Sequence, residues 1–450
     1  RLGGDDEEPE FSNLSWSAML FAAGMGIGLV FWGAAEPLSH FRSPPPGVTP
    51  MSAGAASAAM RYSFFHWGLH PWAIYTLVAL AIAFFQARGG GLNFSSTMGG
   101  LNVNPKSRWL DLIDLFAVVA TAFGVATSLG LGAMQINSGL NAVFGVTISI
   151  TAQVVIIVVT TVMFMASALS GLERGVKWLS TINLCIAGLL ATAVFIVGPT
   201  GAILDTFTDA LGGYLDAFVS MSLRLTPFRE SSWVGDWTIF YWAWWLSWSP
   251  FVGHFIARVS KGRTIREFVS GTLLVPALMC FAWFSVFGGS ALHLEFFGHV
   301  PLSEAAKLDP SIAIFRLFDA LPASALLSGV ATLLVMVFFV TSADSATLVL
   351  AMLSSHGNAN PSLRLKAVWG SLLALVAISL LLAGGLKAIQ TAAIVAALPF
   401  SFVIMLLCVS LYRAAKKEWR EREHAQRELR RRMRDQATQA SQTSQSSRPE

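Results

Sequence analysis

Long apolar runs separated by short polar stretches set the pattern of this chain. Measured against the ~20 apolar residues an α-helix needs to cross a bilayer, they predict spans at 15–35, 62–86, 110–137, 150–172 and 176–197, then at 237–257, 268–292, 323–352, 365–383 and 388–412. Between these two sets, residues 200–236 are too polar to span, and Asp205, Asp209, Asp216 and Glu230 predict a surface helix and loop. The expected fold class is an all-α polytopic membrane protein. Its parts read as an N-terminal segment (1–13), a first five-helix unit (14–199), a connector (200–236), a second five-helix unit (237–413) and a tail (414–450).

Composition excludes the water-soluble alternative. The 450 residues are 54% hydrophobic and 12% charged, about half the ~25% charged fraction usual in soluble domains. Residues 115–172 contain no Asp, Glu, Lys or Arg, whereas helices with a watered face need such side chains. The net charge of +4 is concentrated at the end, where residues 413–450 carry 11 of the 30 Lys/Arg and 6 of the 26 Asp/Glu. A basic tail behind a membrane body meets anionic lipid headgroups first, so lipid rather than nucleic acid is its expected partner. Cys185, Cys280 and Cys408 lie in apolar runs without metal or disulfide spacing. The chain starts at Arg1 with an acidic stretch, so no signal peptide is expected and the N-terminus reads as trimmed.

Basic residues orient the spans. Counting loops alternately, one side holds eleven (Arg88, Lys106, Arg108, Arg174, Lys177, Arg258, Lys261, Arg263, Arg266, Arg364, Lys366) and the other seven (Arg42, Arg61, Arg224, Arg229, Lys307, Arg316, Lys387). By the positive-inside rule the first side, with both termini, is cytoplasmic. Beyond Gln436 the Gln/Ser/Thr-rich end is expected to be disordered.

Each half opens on an interrupted helix. The first contains AAGMGIG (22–28), whose three glycines each cost helix propensity of ~1 kcal/mol relative to alanine; the sixth contains SWSPFVG (247–253), with Pro250 inside. Matched breaks point to an inverted-repeat transporter with a midplane site, although single breaks also serve ordinary packing. Near them lie aromatic clusters. On a helix, Trp244, Trp248 and Phe251 share one face with Trp245 beside it, and Trp67, Trp72 and Tyr75 share another if the helix continues through Pro71. Facing rings can enclose a quaternary ammonium, which has no N–H to donate and is held by cation–π attraction; they can also simply pack. Asp344 is the carboxylate expected deep inside a span, and Thr341 and Ser342 beside it offer hydroxyl oxygens that suit a hard cation or bond their own helix. His66 and His70 are four apart without a carboxylate nearby in sequence. With no Walker loop, HExxH pair, nucleophile elbow or cysteine cluster, neither an enzyme nor an ATP-driven pump has a chemical basis here.

The segments 22–38, 66–75 (HWGLHPWAIY), 241–268 (YWAWWLSWSPFVGHFIARVSKGRTIREF) and 338–347 (FFVTSADSAT) together resemble the betaine/choline/carnitine transporter family, nearly to Tyr412. The resemblance implies two inverted five-helix repeats forming a ten-helix core, with the family's first two helices absent from this chain. It implies a homotrimer in a bacterial cytoplasmic membrane, without cofactor, coupled to Na⁺. Similarity to sodium-coupled betaine carriers puts Trp67, Trp72, Tyr75 and Trp245 in an aromatic box, Trp244 and Trp248 along the path, and Met25 and Gly28 beside the substrate. One Na⁺ would lie between carbonyls of Ala22, Met25 and Phe338 and the hydroxyls of Thr341 and Ser342. A second site would use Thr121 and Phe251, but Val125 stands where a second threonine belongs. Gly28 occupies a position where choline carriers often have Asp, which would pair with a net cation; its absence favours a zwitterion. The implied function is Na⁺-coupled symport of glycine betaine or a related zwitterionic osmolyte; the alternatives are a sodium-independent exchanger, a choline or carnitine carrier, and, from another class, an uncoupled osmolyte channel.

Overall fold

The structure is a computed structural model that describes residues 1–3, 7–24, 26–104, 106–170 and 173–446, with backbone alone at 21–24, 170, 173–180 and 437–446. In order the helices are α1 (Asn13–Gly24), α2 (Ile27–Arg42), α3 (Ala53–Trp67), α4 (Leu69–Gln86), α5 (Arg108–Phe144), α6 (Ile150–Ser170), α7 (Glu173–Val197), α8 (Thr200–Asp216) and α9 (Phe218–Ser222). They continue with α10 (Phe240–Val259), α11 (Ile265–Phe284), α12 (Ser290–Phe296), α13 (Leu302–Leu308), α14 (Ala313–Asp319), α15 (Ser324–Leu353) and α16 (Leu363–Ser446). Each predicted span falls on one helix or an end-to-end pair. Among the described residues, six helical stretches are long and apolar enough by themselves to cross a membrane. The two arms of α16 share one such stretch, α1 and α2 are individually short, α10 is rich in Trp and Ser, and residues 181–197 of α7 reach the required length only together with α8. Past α7 the chain bends by 111° into α8, the expected surface helix.

Breaks in the helices decide where side chains point. Between α1 and α2, Gly26 is extended (φ −152°, ψ −177°), so α2 starts afresh at Ile27. The helix expected to run through Pro71 does not; it stops at Gly68 (φ −93°, ψ −132°) and restarts. A Cβ at Gly68 would lie 2.4 Å from both the Phe281 ring and the Phe64 carbonyl, so only glycine lets α11 approach the kink. Pro71 then sits in the first turn of α4, where its missing N–H costs nothing.

The second expected break is absent, because α10 passes through Pro250 without interruption. Pro250 leaves the Leu246 carbonyl without its helical donor, and the Ser249 hydroxyl donates to that oxygen at 2.7 Å. One side chain thus repairs the ladder. The chain is instead interrupted at Gly384 and Gly385, which have non-helical backbone angles and divide α16 into arms 363–383 and 386–446. The second arm runs past Gln436 to Ser446, where disorder was expected, because no Gly or Pro interrupts it there and Ala and Gln are good helix formers.

Ion pairs and hydrogen bonds gather the helix ends into two faces. One unites Arg258 with Glu10, Lys261 with Glu7 and Arg88 with Glu418; the other unites Lys387 with Asp236 and the Arg224 guanidinium with the Pro46 carbonyl. On the first, the GRTIREF segment has a structural task. Arg263 is buried, donates to Asn13 Oδ1 (2.7 Å) and the Phe11 carbonyl (2.8 Å), and lies 4.0 Å over the Trp16 ring. Thr264 and Glu267 then form a reciprocal capping box that starts α11.

Candidate functional site

The Gly68 kink places Trp67 at the end of α3 and Trp72 and Tyr75 on α4, so rings from two differently directed helices face α10. Trp67 meets Trp245 edge-on (4.8 Å, 78°), Tyr75 meets Trp245 edge-on (6.0 Å, 80°), and Trp72 lies 5.4 Å from Tyr75. Trp244 stacks on Trp245 at 5.1 Å with 13° between planes. All five rings are buried, and all line one cavity of about 500 Å³. Hydrogen bonds fix two of the rings: Trp245 Nε1 donates to the His66 carbonyl (2.9 Å), and Trp67 Nε1 donates to Glu36 Oε2 (2.8 Å). Farther along, Trp248 donates to the Gly124 carbonyl (2.7 Å) and touches Phe251 edge-on (5.3 Å). The cavity continues to Gln86, Arg258 and Ala359, on the Arg88–Glu418 face.

The N-terminus of α2 enters the same cavity through Gly26, Ile27 and Gly28. First-turn amides have no helical acceptor and carry the positive end of the helix dipole. At Gly28 α2 approaches α10 closely, since a Cβ there would lie 2.3 Å from Trp244 Cη2. The cavity therefore joins an aromatic enclosure suited to a cation with backbone donors suited to a carboxylate.

The residues expected around a cation are partly assembled. Phe338, Thr341 and Ser342 line the cavity together with the α1–α2 break. Thr341 Oγ1 donates to the Val337 carbonyl at 2.8 Å, leaving lone pairs to accept or ligate. Asn183 was missed in sequence; with its amide oriented by hydrogen bonding, it accepts from the Phe338 N–H (3.2 Å) and donates to the Leu334 carbonyl (3.3 Å). Met25 lies outside the described residues, and Ala22 is described by its backbone alone in α1. Of the second expected site, Phe251 lines the cavity, while Thr121 is buried and bonds its own helix at the Ala117 carbonyl (2.7 Å), one turn before the buried Val125.

Asp344 is half-buried, accepts from Ser167 Oγ at 3.2 Å, and is not the deepest carboxylate. Among the described residues that place belongs to Glu36, which the predicted span 15–35 stops just short of; α2 carries it inside, fully buried. Its Oε1 faces His66 Nδ1 (2.7 Å) and His40 Nε2 (3.2 Å), and its Oε2 accepts from Trp67 and from the Tyr241 hydroxyl (2.5 Å). His66 thus has a carboxylate partner thirty residues away. His70 turns elsewhere, to Tyr214 (3.0 Å) and Ser222 (2.7 Å). Only the Glu36–His40 spacing, one helical turn, hinted at this centre.

Comparison with known proteins adds independent findings. The sequence pattern of the betaine/carnitine/choline family of transporters matches residues 1–420. The glycine betaine transporter OpuD of Bacillus subtilis (strain 168) is 51% identical over 434 residues, 95% of this chain and 84% of that protein. The ectoine/hydroxyectoine transporter of Virgibacillus pantothenticus is 46% identical over 419 residues, 93% of this chain and 83% of its own. Among solved structures, the manganese transporter of Eremococcus coleocola superposes with a TM-score of 0.50 at 13% identity, over 90% of this chain and 81% of that one, a likeness of fold.

Proposed function

Since this chain belongs to the betaine/carnitine/choline transporter family and is therefore a multi-pass membrane transporter rather than an enzyme, we propose that it carries glycine betaine or a related zwitterionic osmolyte by Na⁺-coupled symport. The observation that supports this most is the single cavity in which Trp67, Trp72, Tyr75, Trp244 and Trp245 lie with the N-terminus of α2. A quaternary ammonium fits among the rings and a carboxylate at the helix amides, so one zwitterion satisfies both ends. Replacing Trp245 by alanine removes the ring that Trp67 and Tyr75 both meet. The expected loss is about 1–2 kcal/mol, or roughly 5- to 30-fold in glycine betaine affinity. Tryptophan-fluorescence titration measures it, and unchanged affinity in both Trp245→Ala and Trp72→Ala removes the cage from consideration.

Sodium enters at the α1–α2 break, where Ala22, Met25 and Phe338 supply carbonyls and Thr341 and Ser342 hydroxyls. Ion and substrate then share one cavity, and each favours the arrangement that binds the other. Val125 leaves Thr121 and Phe251 without a third oxygen, so the coupling is to one ion. In proteoliposomes, betaine uptake should require an inward Na⁺ gradient with a Hill coefficient near one. The Thr341→Ala/Ser342→Ala double variant should need more sodium for half-maximal uptake; wild-type sodium dependence in that variant, or uptake indifferent to sodium, refutes the coupling.

The inverted pair of five-helix repeats, a homotrimer and a bacterial cytoplasmic membrane with both termini inside belong to the same reading. In that orientation the cavity opens inward, past Arg258. The tail has a foothold there. Arg88 Nε and Nη2 reach Glu418 at 2.5 and 2.8 Å, and this guanidinium holds the Glu418 carboxyl below its usual range. The pair is thus present at neutral pH and lost as pH falls through the lowered value. The tail beyond it reads anionic lipid in a salt-dependent way. Deleting residues 416–450 should preserve transport and flatten its activation by osmolality in anionic proteoliposomes. A truncated protein with the full activation curve leaves the tail a topological role only.

A further inference from the structure

A second polar centre lies beyond the aromatic cage. Glu36, His40 and His66 are fully buried, and none of them lines the cavity. Glu36 and His40 stand one turn apart on α2, and His66 comes from α3. One ligand atom from each, Glu36 Oε1, His40 Nε2 and His66 Nδ1, falls within 4.8 Å of the others. Two imidazole nitrogens and a carboxylate oxygen directed at one point form a donor set for a borderline-soft dication, with bonds of about 2.0–2.2 Å in the case of Zn²⁺.

The surroundings suit such an ion. Thr238 Oγ1 lies 3.0 Å from His66 Nε2, so with a proton on Nε2 the ring presents the Nδ1 lone pair. Glu36 Oε2 is held by Trp67 and Tyr241, leaving Oε1 to ligate. His40 Nδ1 is buried without a hydrogen-bond partner among the described residues, so without metal the ring's proton sits on Nε2, toward Glu36 Oε1. The Trp233 and Trp237 rings pack against His40, with centroids at 4.9 and 4.4 Å. On metal binding the proton of each ring moves from the nitrogen that faces Glu36 to the far one, where Thr238 can accept it in the case of His66.

We propose that Glu36, His40 and His66 form a site for a transition-metal dication of the Zn²⁺ type, and that occupancy fastens α2 to α3 and, through Tyr241, to α10. The cavity opens toward Arg258 at the far end of α10, so the ends of α2, α3 and α10 gathered at this centre lie on the closed side. Locking them stops the closed side from opening while leaving the cage intact. This second part rests on the transport reading above; the metal site itself does not.

Zinc chloride is the probe, with chelator-treated protein. Isothermal titration and metal analysis after desalting should give one zinc per chain in the wild type. His40→Gln, which keeps a donor toward Glu36, and His66→Ala should each lose about tenfold or more in zinc affinity; thermal melts of both confirm that they fold. Zinc should slow betaine uptake by the wild type and not by His40→Gln, while betaine binding, read by fluorescence, stays unchanged. Absence of stoichiometric zinc, or equal zinc binding by wild type and both variants, overturns the site. Zinc bound at the site with uptake unaffected overturns the lock. Uptake measured without zinc tests the transport reading separately.

Discussion

Glu36→Ala is expected to be the most destabilising single substitution among those considered. The carboxylate accepts from two histidines, Trp67 and Tyr241, and all five side chains are buried. Removing it strands four donors away from water, where each unsatisfied group costs about 1–3 kcal/mol. Relaxation recovers part of this, so the net loss should resemble breaking a buried charged network, about 3–5 kcal/mol. Thermal unfolding in detergent, followed by intrinsic fluorescence, should show a clearly lowered midpoint. Glu36→Gln, which keeps shape and one acceptor, should fall between. A Glu36→Ala protein that melts like the wild type would mean that these donors find water, and the centre would not be a structural tie.

Gly28→Ala should have the largest effect on ligand binding. Its Cβ would sit 2.3 Å from Trp244 Cη2 and 3.1 Å from two further ring atoms. Trp244 cannot easily withdraw, being stacked on Trp245 (5.1 Å) and Phe240 (5.6 Å) with its edge toward Trp67 (6.1 Å). Overpacking of this kind costs about 1–3 kcal/mol. Passed on to the cage through Trp245, it corresponds to a loss of roughly 5- to 150-fold in betaine affinity. The same contact bears on specificity: an aspartate at this position would have to displace Trp244 before pairing with a cationic substrate. Wild-type affinity in Gly28→Ala would show that α2 moves away from α10 freely.

Local sequence made much of the architecture legible. The apolar runs located the long helices of the bundle, because a bilayer demands runs of fixed length whatever their neighbours do, whereas the short buried helices α13 and α14 fell between predicted spans. Three glycines in AAGMGIG were enough to place the break before α2, since no tertiary contact was needed to weaken that helix. Pro250 misled for the complementary reason: a proline breaks a helix only when the carbonyl it strands has no other donor, and Ser249 supplies one.

What sequence alone determined, then, is the membrane class, the helix positions, the family, and the aromatic residues available for a cage. Tertiary structure decided which of these residues meet. The kink at Gly68 depends on the approach of Phe281 from α11, more than two hundred residues away, and it turns one arc of rings into two facing walls. Glu36 gained its role only when α3 brought His66 against it, and Gly28 its steric role only when Trp244 arrived from α10. Helix formation and membrane insertion respond to neighbours along the chain, whereas hydrogen bonds and ring contacts depend on distances that packing of remote helices sets.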